Sequence, residues 1–129
     1  MVYSIWYMGN ITKFTDLIAW QESHKLVLNI YLLTKKFPKD EMFALTNQMR
    51  RAVVSISSNI AEGFSRYSKL EKRQFYAIAR GSLTEIENQL LIARDIQYIS
   101  QEEYDNVENQ TIIVGKLITS LLKYIQSLP

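Results

Sequence analysis

Seven basic side chains fall between positions 50 and 80: Arg50, Arg51, Arg66, Lys69, Lys72, Arg73 and Arg80. Only Glu62 and Glu71 oppose them, so this span carries +5. From Gly81 to Glu108 the sign reverses: Glu85, Glu87, Asp95, Glu102, Glu103, Asp105 and Glu108 face Arg94 alone, giving −6. Guanidinium and ammonium groups bind phosphate oxygens through charge-assisted hydrogen bonds, which position a nucleic acid without reading its sequence. Tyr67 and Tyr76 lie among these cations, where aromatic rings can stack on exposed bases, although helical spacing suits Tyr76 equally to the core. Net charge is only +2, so the distribution carries the argument and the balance does not. It admits a phosphate-binding patch, pairing of the basic part of one subunit with the acidic part of the next, or plain solvation.

Other chemistry finds little support. His24 is the only histidine and cysteine is absent, so the chain alone does not build a common zinc site or a disulfide. No Glu-x-x-His pair precedes His24, which reads as a packing or hydrogen-bonding residue. Glu85 and Glu87 are two residues apart and point away from each other on a helix. Glu62 and Glu85 are expected to pair with Arg51 or Arg66. There is neither a glycine-rich phosphate loop nor a nucleophile elbow. The expectation is a protein with no catalytic residues, no cofactor and no metal.

The elements that must position the cations are helical. At 129 residues the chain fits one domain, and 47% hydrophobic content with 4 glycines and 2 prolines favours regular structure over disorder. No apolar run is long enough to span a membrane, and lack of cysteine suits a reducing cytoplasm. Residues 1–15, beginning MVYSIWYMGN, follow no helical stripe and lack the pattern of a signal peptide. They read as an irregular arm whose Trp6 and Tyr7 dock on the bundle or on a neighbouring subunit. Residues 16–129 are expected to form helices at about 16–37, 40–65, 69–97 and 101–127.

Asp16 is the expected N-cap of the first helix, with Trp20, His24, Val27, Tyr31 and Thr34 inward, Leu17, Leu28 and Leu32 broadening the stripe, and Pro38 as its stop. Met49, Ala52, Ile56, Ile60 and Phe64 form the second stripe. Ser68 and Glu71 form a capping box before the third helix, whose stripe is Leu83, Ile86, Leu90, Ala93 and Ile96. A second box at Ser100 and Glu103 opens the fourth, where Tyr104, Val107, Thr111, Val114, Ile118, Leu121, Ile125 and Leu128 keep a heptad-like spacing. Short connections favour antiparallel neighbours: an all-α, single up-down antiparallel four-helix bundle. Surplus apolar residues such as Ile113, Leu117, Leu122 and Tyr124 make it an oligomerising one.

The stretch RRAVVSISSNIAEGFSR, Arg50 to Arg66, concentrates small polar residues that are unusual within a helix. Ser55, Ser57, Ser58 and Asn59 would let a neighbour approach closely. Gly63 costs about 1 kcal/mol against alanine, which calls for a packing reason or a helix end. Gly81 and Ser82 form a second small-residue site, expected to face Gly63 or a close neighbour. Two readings stand together: a tight helix–helix seam, or a recognition surface in which Asn59, Glu62 and the arginines contact a partner.

The run Ala52 to Gly63, with Phe37-Pro38 before it and Phe75, Ala79 to Leu83, Glu85 and Gln89-Leu90 after it, resembles the signature of the family encoded in intervening sequences of bacterial 23S ribosomal RNA genes. The similarity spans roughly Asp16 to Ser127, with Ser57 standing where many members carry proline. A more distant resemblance is to accessory proteins of diversity-generating retroelements. The resemblance implies an up-down four-helix bundle, a ring-like homo-oligomer (a pentamer) and a role with RNA or a ribonucleoprotein, and brings no catalytic residues. The alternative is a ring-shaped scaffold with no nucleic-acid ligand.

Overall fold

A computed structural model of the chain describes residues 11–129; the arm residues 1–10, Trp6 and Tyr7 included, lie outside it. Four helices make up the fold: α1 (Ile18–Thr34), α2 (Asn47–Ser65), α3 (Lys69–Asp95) and α4 (Gln101–Ser127). Each packs on its neighbour in sequence, and α4 closes on α1. The cross-helix contacts fix the directions. Arg50, early in α2, bonds Thr34 at the end of α1, and Gly63 late in α2 meets Tyr76 early in α3. Lys69 reaches the carbonyls of Gln126 and Leu128, while Asn29 pairs with Gln110 and Lys36 with Glu103. Every adjacent pair therefore runs antiparallel.

Local chemistry explains the boundaries. The Ser100 hydroxyl accepts from Glu103 N at 3.1 Å while Glu103 Oε1 accepts from Ser100 N at 2.8 Å, so the box opening α4 is complete. At α3 half of the expected box forms: Ser68 Oγ accepts from Glu71 N at 3.0 Å, and the Glu71 carboxylate turns to the Ser68 hydroxyl instead of its N–H. Asp16 does not cap α1. Its carboxylate accepts from the N–H groups of Thr12 and Lys13, both at 3.0 Å, and closes a turn at Phe14–Asp16, leaving Leu17 at the cap. Those two backbone donors hold the Asp16 carboxyl below its ordinary range.

α1 and α3 end earlier than the sequence suggests, and α2 begins later. Lys39–Glu41 is a short 3₁₀ turn and Met42–Thr46 a widened one, with Ala44 at φ −121° and ψ −109°, so continuous α-helix starts only at Asn47. At the end of α3, Gln97 takes φ 67°, and Tyr98 N bonds Ala93 O at 2.9 Å while Gln97 N bonds Arg94 O at 3.0 Å. This is a Schellman ending in which glutamine replaces the usual glycine. It leaves Ile96 exposed at the cap instead of on the inward stripe.

The core matches the expected stripes in α2 and α4 and departs from them in α1. Met49, Ala52, Ile56 and Ile60 are buried, as are Tyr104 through Ile125 on the heptad positions. In α1 the inward residues are Ala19, Ser23, Leu26, Ile30, Leu33 and, as expected, Thr34, with Leu17 buried at the cap, whereas Leu28, Tyr31 and Leu32 face outward.

The two chain reversals at one end are pinned to each other. Tyr98 donates to Glu41 Oε2 at 2.6 Å, its ring lies 5.2 Å from that of Phe37, and Leu45 N donates to the other Glu41 oxygen at 3.5 Å. The hydrogen bond to Glu41 and desolvation raise the Tyr98 phenol to about 12. A raised phenol favours the protonated, folded form, so its contribution is complete below about pH 10 and is lost as pH climbs from there towards 12. Thermal melts between about pH 8 and 12 should show the parent losing stability faster than Tyr98→Phe across the upper half of that range. Parallel curves would exclude Tyr98 as the alkaline-sensitive group.

Candidate nucleic-acid interface

The basic span does not form one patch. Arg51 lies in the first turns of α2 and Arg66 caps its far end 15 residues later, about 22 Å along the axis at 1.5 Å per residue. Arg50 and Arg51 therefore sit near one end of the bundle, and Arg66, Lys69, Lys72 and Arg73 near the other.

Several of these cations are occupied by structure. Arg50 Nε donates to Thr34 Oγ1 at 2.9 Å and its guanidinium lies 4.8 Å from the Tyr31 ring centre, bracing α2 on α1. Arg66 pairs with Glu62 at 3.0 Å and covers the Phe75 ring at 4.8 Å. Lys69 Nζ donates to Gln126 O at 3.2 Å and Leu128 O at 2.9 Å, at the end of α4. Lys72 Nζ donates to Gly63 O at 3.3 Å and Phe64 O at 2.8 Å, at the end of α2. Ammonium groups suit both places, because unpaired carbonyls and the negative end of the helix dipole converge there. Desolvation pushes the Lys72 ammonium below its ordinary value.

Arg73 and Arg80 remain as exposed cations on α3. They are seven residues apart and so share one helical face, two turns from each other. Across the groove, α4 presents Lys116 and Lys123, also seven residues apart. Arg80, Lys116 and Lys123 line a groove of about 500 Å³ together with the hydroxyl groups of Thr84, Thr119 and Ser120, and Glu87 is its carboxylate. A Cβ on Gly115 would lie 3.3 Å from Leu83 Cδ2, so the two helices approach closely beneath it. The sequence reading missed Lys116 and Lys123 because they lie outside the basic span; their matching seven-residue spacing was the available signal.

The motif residues converge elsewhere. Ser55 and Ser82 hydroxyls meet at 2.8 Å across the α2–α3 seam, and Asn59 Nδ2 donates to Ser55 O at 2.7 Å and Ser55 Oγ at 3.0 Å. Gly63 packs on Tyr76 and Phe75, not on Gly81, and a Cβ built on Gly81 would meet nothing within 4 Å. Glu62 holds Arg66, whereas Glu85 and Arg51 face a second groove between α2 and α3. The two carboxylates are thus in different settings, and only Glu62 pairs with an arginine as expected. Tyr76 is fully buried, which settles it as core, and Tyr67 is fully exposed. His24 stacks on Trp20 with ring centres 4.8 Å apart. Among the described residues no group of three or more His, Cys, Asp or Glu could hold a metal ion, and no helix is long and apolar enough to cross a membrane.

These features define an all-α protein of four helices whose polar surface is organised into interhelical grooves. The chain belongs to the 23S rRNA-intervening sequence protein family, whose sequence profile matches residues 15–120. It is similar to a crystal structure of a protein of unknown function from the S23 ribosomal protein family of Bacteroides thetaiotaomicron VPI-5482, with a TM-score of 0.77 and 25% identity over 82% of this chain and 96% of that one. No curated protein matches the sequence.

Proposed function

We propose that this protein is a non-enzymatic, cytoplasmic, self-assembling helical bundle that binds structured RNA, free or within a ribonucleoprotein, through the face shared by α3 and α4. The observation that carries this reading is the groove holding Arg80, Lys116 and Lys123 among hydroxyl groups, with Arg73 two turns away. Exposed cations beside hydroxyl donors offer the two kinds of contact that dominate phosphate recognition. The family's name, which refers to 23S rRNA, supports RNA as the polyanion. Self-assembly draws on large apolar side chains left exposed, among them Leu28, Leu32 and Ile113. The subunit number, five, comes from the family resemblance.

A ring-shaped scaffold with no nucleic-acid ligand is the second reading, favoured by the same exposed apolar residues and by the oppositely charged spans. One double variant separates them: Arg73→Glu with Arg80→Glu, which spares Lys72 and its capping role. In the RNA reading, affinity for a labelled ribosomal RNA fragment falls at least about tenfold. The slope of log K against log salt shrinks by roughly 1.4–1.8, the share of two phosphate contacts. Light scattering then finds the oligomer unchanged. In the scaffold reading the oligomer dissociates, and the parent shows no salt-sensitive RNA binding to lose.

A further inference from the structure

The groove between α2 and α3 is distinct from the cationic face and carries different chemistry. Arg51 and Ser55 are one turn apart on α2, and Ser82, Glu85 and Gln89 follow one face of α3 at spacings of three and four. With Phe43 at the rim they line a space of about 460 Å³. Gln89 is only 7% exposed, and its Oε1 is buried without a hydrogen-bond partner. An acceptor in that condition is costly unless something donates to it. Arg51 and Glu85 line the same groove, yet neither takes part in an ion pair among the described residues. Phe43 is 93% exposed, thrown outward by the widened turn at Ala44. The Ser55–Ser82 hydrogen bond, held from behind by Asn59, fixes the distance between the walls.

We propose that this groove reads one unstacked guanine of single-stranded RNA. Guanine presents N1–H and N2–H donors on one edge and the O6 and N7 acceptors beside it. Glu85 accepts from the first edge, Gln89 Oε1 takes the remaining N2 proton, and Arg51 donates to O6 and N7. The Phe43 ring supplies the stacking surface that unpaired bases use. Adenine, with an acceptor at N1, leaves the Glu85 carboxylate facing a lone pair and is rejected. This inference rests on the RNA reading above, with backbone contacts on the α3–α4 face and base contacts on α2–α3.

The test uses labelled uridine octamers carrying no substitution, one central guanosine or one central adenosine, with GMP as a competitor. The guanosine octamer should bind at least about fivefold tighter than the other two, the lower end of one bidentate base contact. Glu85→Gln and Gln89→Met should each abolish that preference. Gln89→Met should melt no lower than the parent, because it removes an unpaired acceptor, so lost preference is not lost folding. Arg73→Glu with Arg80→Glu should weaken all three octamers equally and keep the ratio. Equal binding of the three octamers would overturn the guanine pocket and leave the RNA reading standing. Failure of all three to bind would overturn the guanine pocket, and failure of the labelled ribosomal RNA fragment as well would overturn the RNA reading; GMP binding alone would mark a mononucleotide site instead.

Discussion

Replacing Gly63 by alanine should destabilise the fold, whereas the same change at Gly81 should stabilise it. Both glycines lie inside helices, and alanine gains up to about 1 kcal/mol of intrinsic preference at either. What differs is the space. A Cβ at position 63 would stand 2.6 Å from Tyr76 Cε1, 2.8 Å from Cδ1 and 3.2 Å from Phe75 Cβ, while position 81 is open. Tyr76 is fully buried, so its ring has no room to step aside, and Phe75 Cβ is fixed to the α3 backbone. Overpacking of this kind costs about 1–3 kcal/mol. The expected outcome is a net loss of up to about 2 kcal/mol for Gly63→Ala and a gain of about 0.5–1 kcal/mol for Gly81→Ala. Urea unfolding followed by helical circular dichroism measures both. Equal midpoints would mean that α2 and α3 do not close on each other at this point.

The same two glycines show what a sequence can and cannot convey. That Gly63 has a packing reason was legible, because a helix interior rarely carries glycine without one. Which residue it meets was not, because facing pairs depend on where α3 begins relative to α2. The small polar run was legible as a close seam for a similar reason: Ser55, Ser82 and Asn59 satisfy one another, so Ser82 can be buried and the other two half-buried in the seam. The basic cluster misled. Nearness in sequence becomes separation along a rod once the intervening residues form a helix, and lysines near helix ends are drawn to the carbonyls there. The cations that line the α3–α4 groove come from two different helices, a pairing that no window along the chain contains.

α4 announced itself because seven buried positions, Tyr104 to Ile125, keep one spacing behind a complete capping box. α1 did not, and the reason lies in its polar residues. Ser23 Oγ donates to Ala19 O at 2.7 Å and Thr34 Oγ1 to Ile30 O at 2.7 Å, so both hydroxyls can be buried at little cost. Hydropathy ranks Ser23 as surface and promotes Leu28, Tyr31 and Leu32 instead, whereas Thr34 lay on the expected stripe and is buried. The stripe is thereby rotated away from Leu26 and Ile30, which the structure buries completely.

That rotation yields a second large and decisive prediction. Ile30 is 0% exposed and Leu32 is 65% exposed. Truncating a fully buried isoleucine removes its transfer free energy and leaves a cavity, about 2–5 kcal/mol together. A domain of this kind holds roughly 5–15 kcal/mol in all, so Ile30→Ala should unfold at a much lower urea concentration. Leu32→Ala should change the unfolding free energy of the isolated subunit by no more than about 0.5 kcal/mol, as exposed substitutions do. The reverse order, with Leu32 the more sensitive site in a monomeric preparation, would restore the stripe through Tyr31 and overturn the α1 register. If Leu32→Ala is costly only at concentrations where the protein self-associates, its side chain is covered by another subunit, since stability shared across an interface depends on protomer concentration.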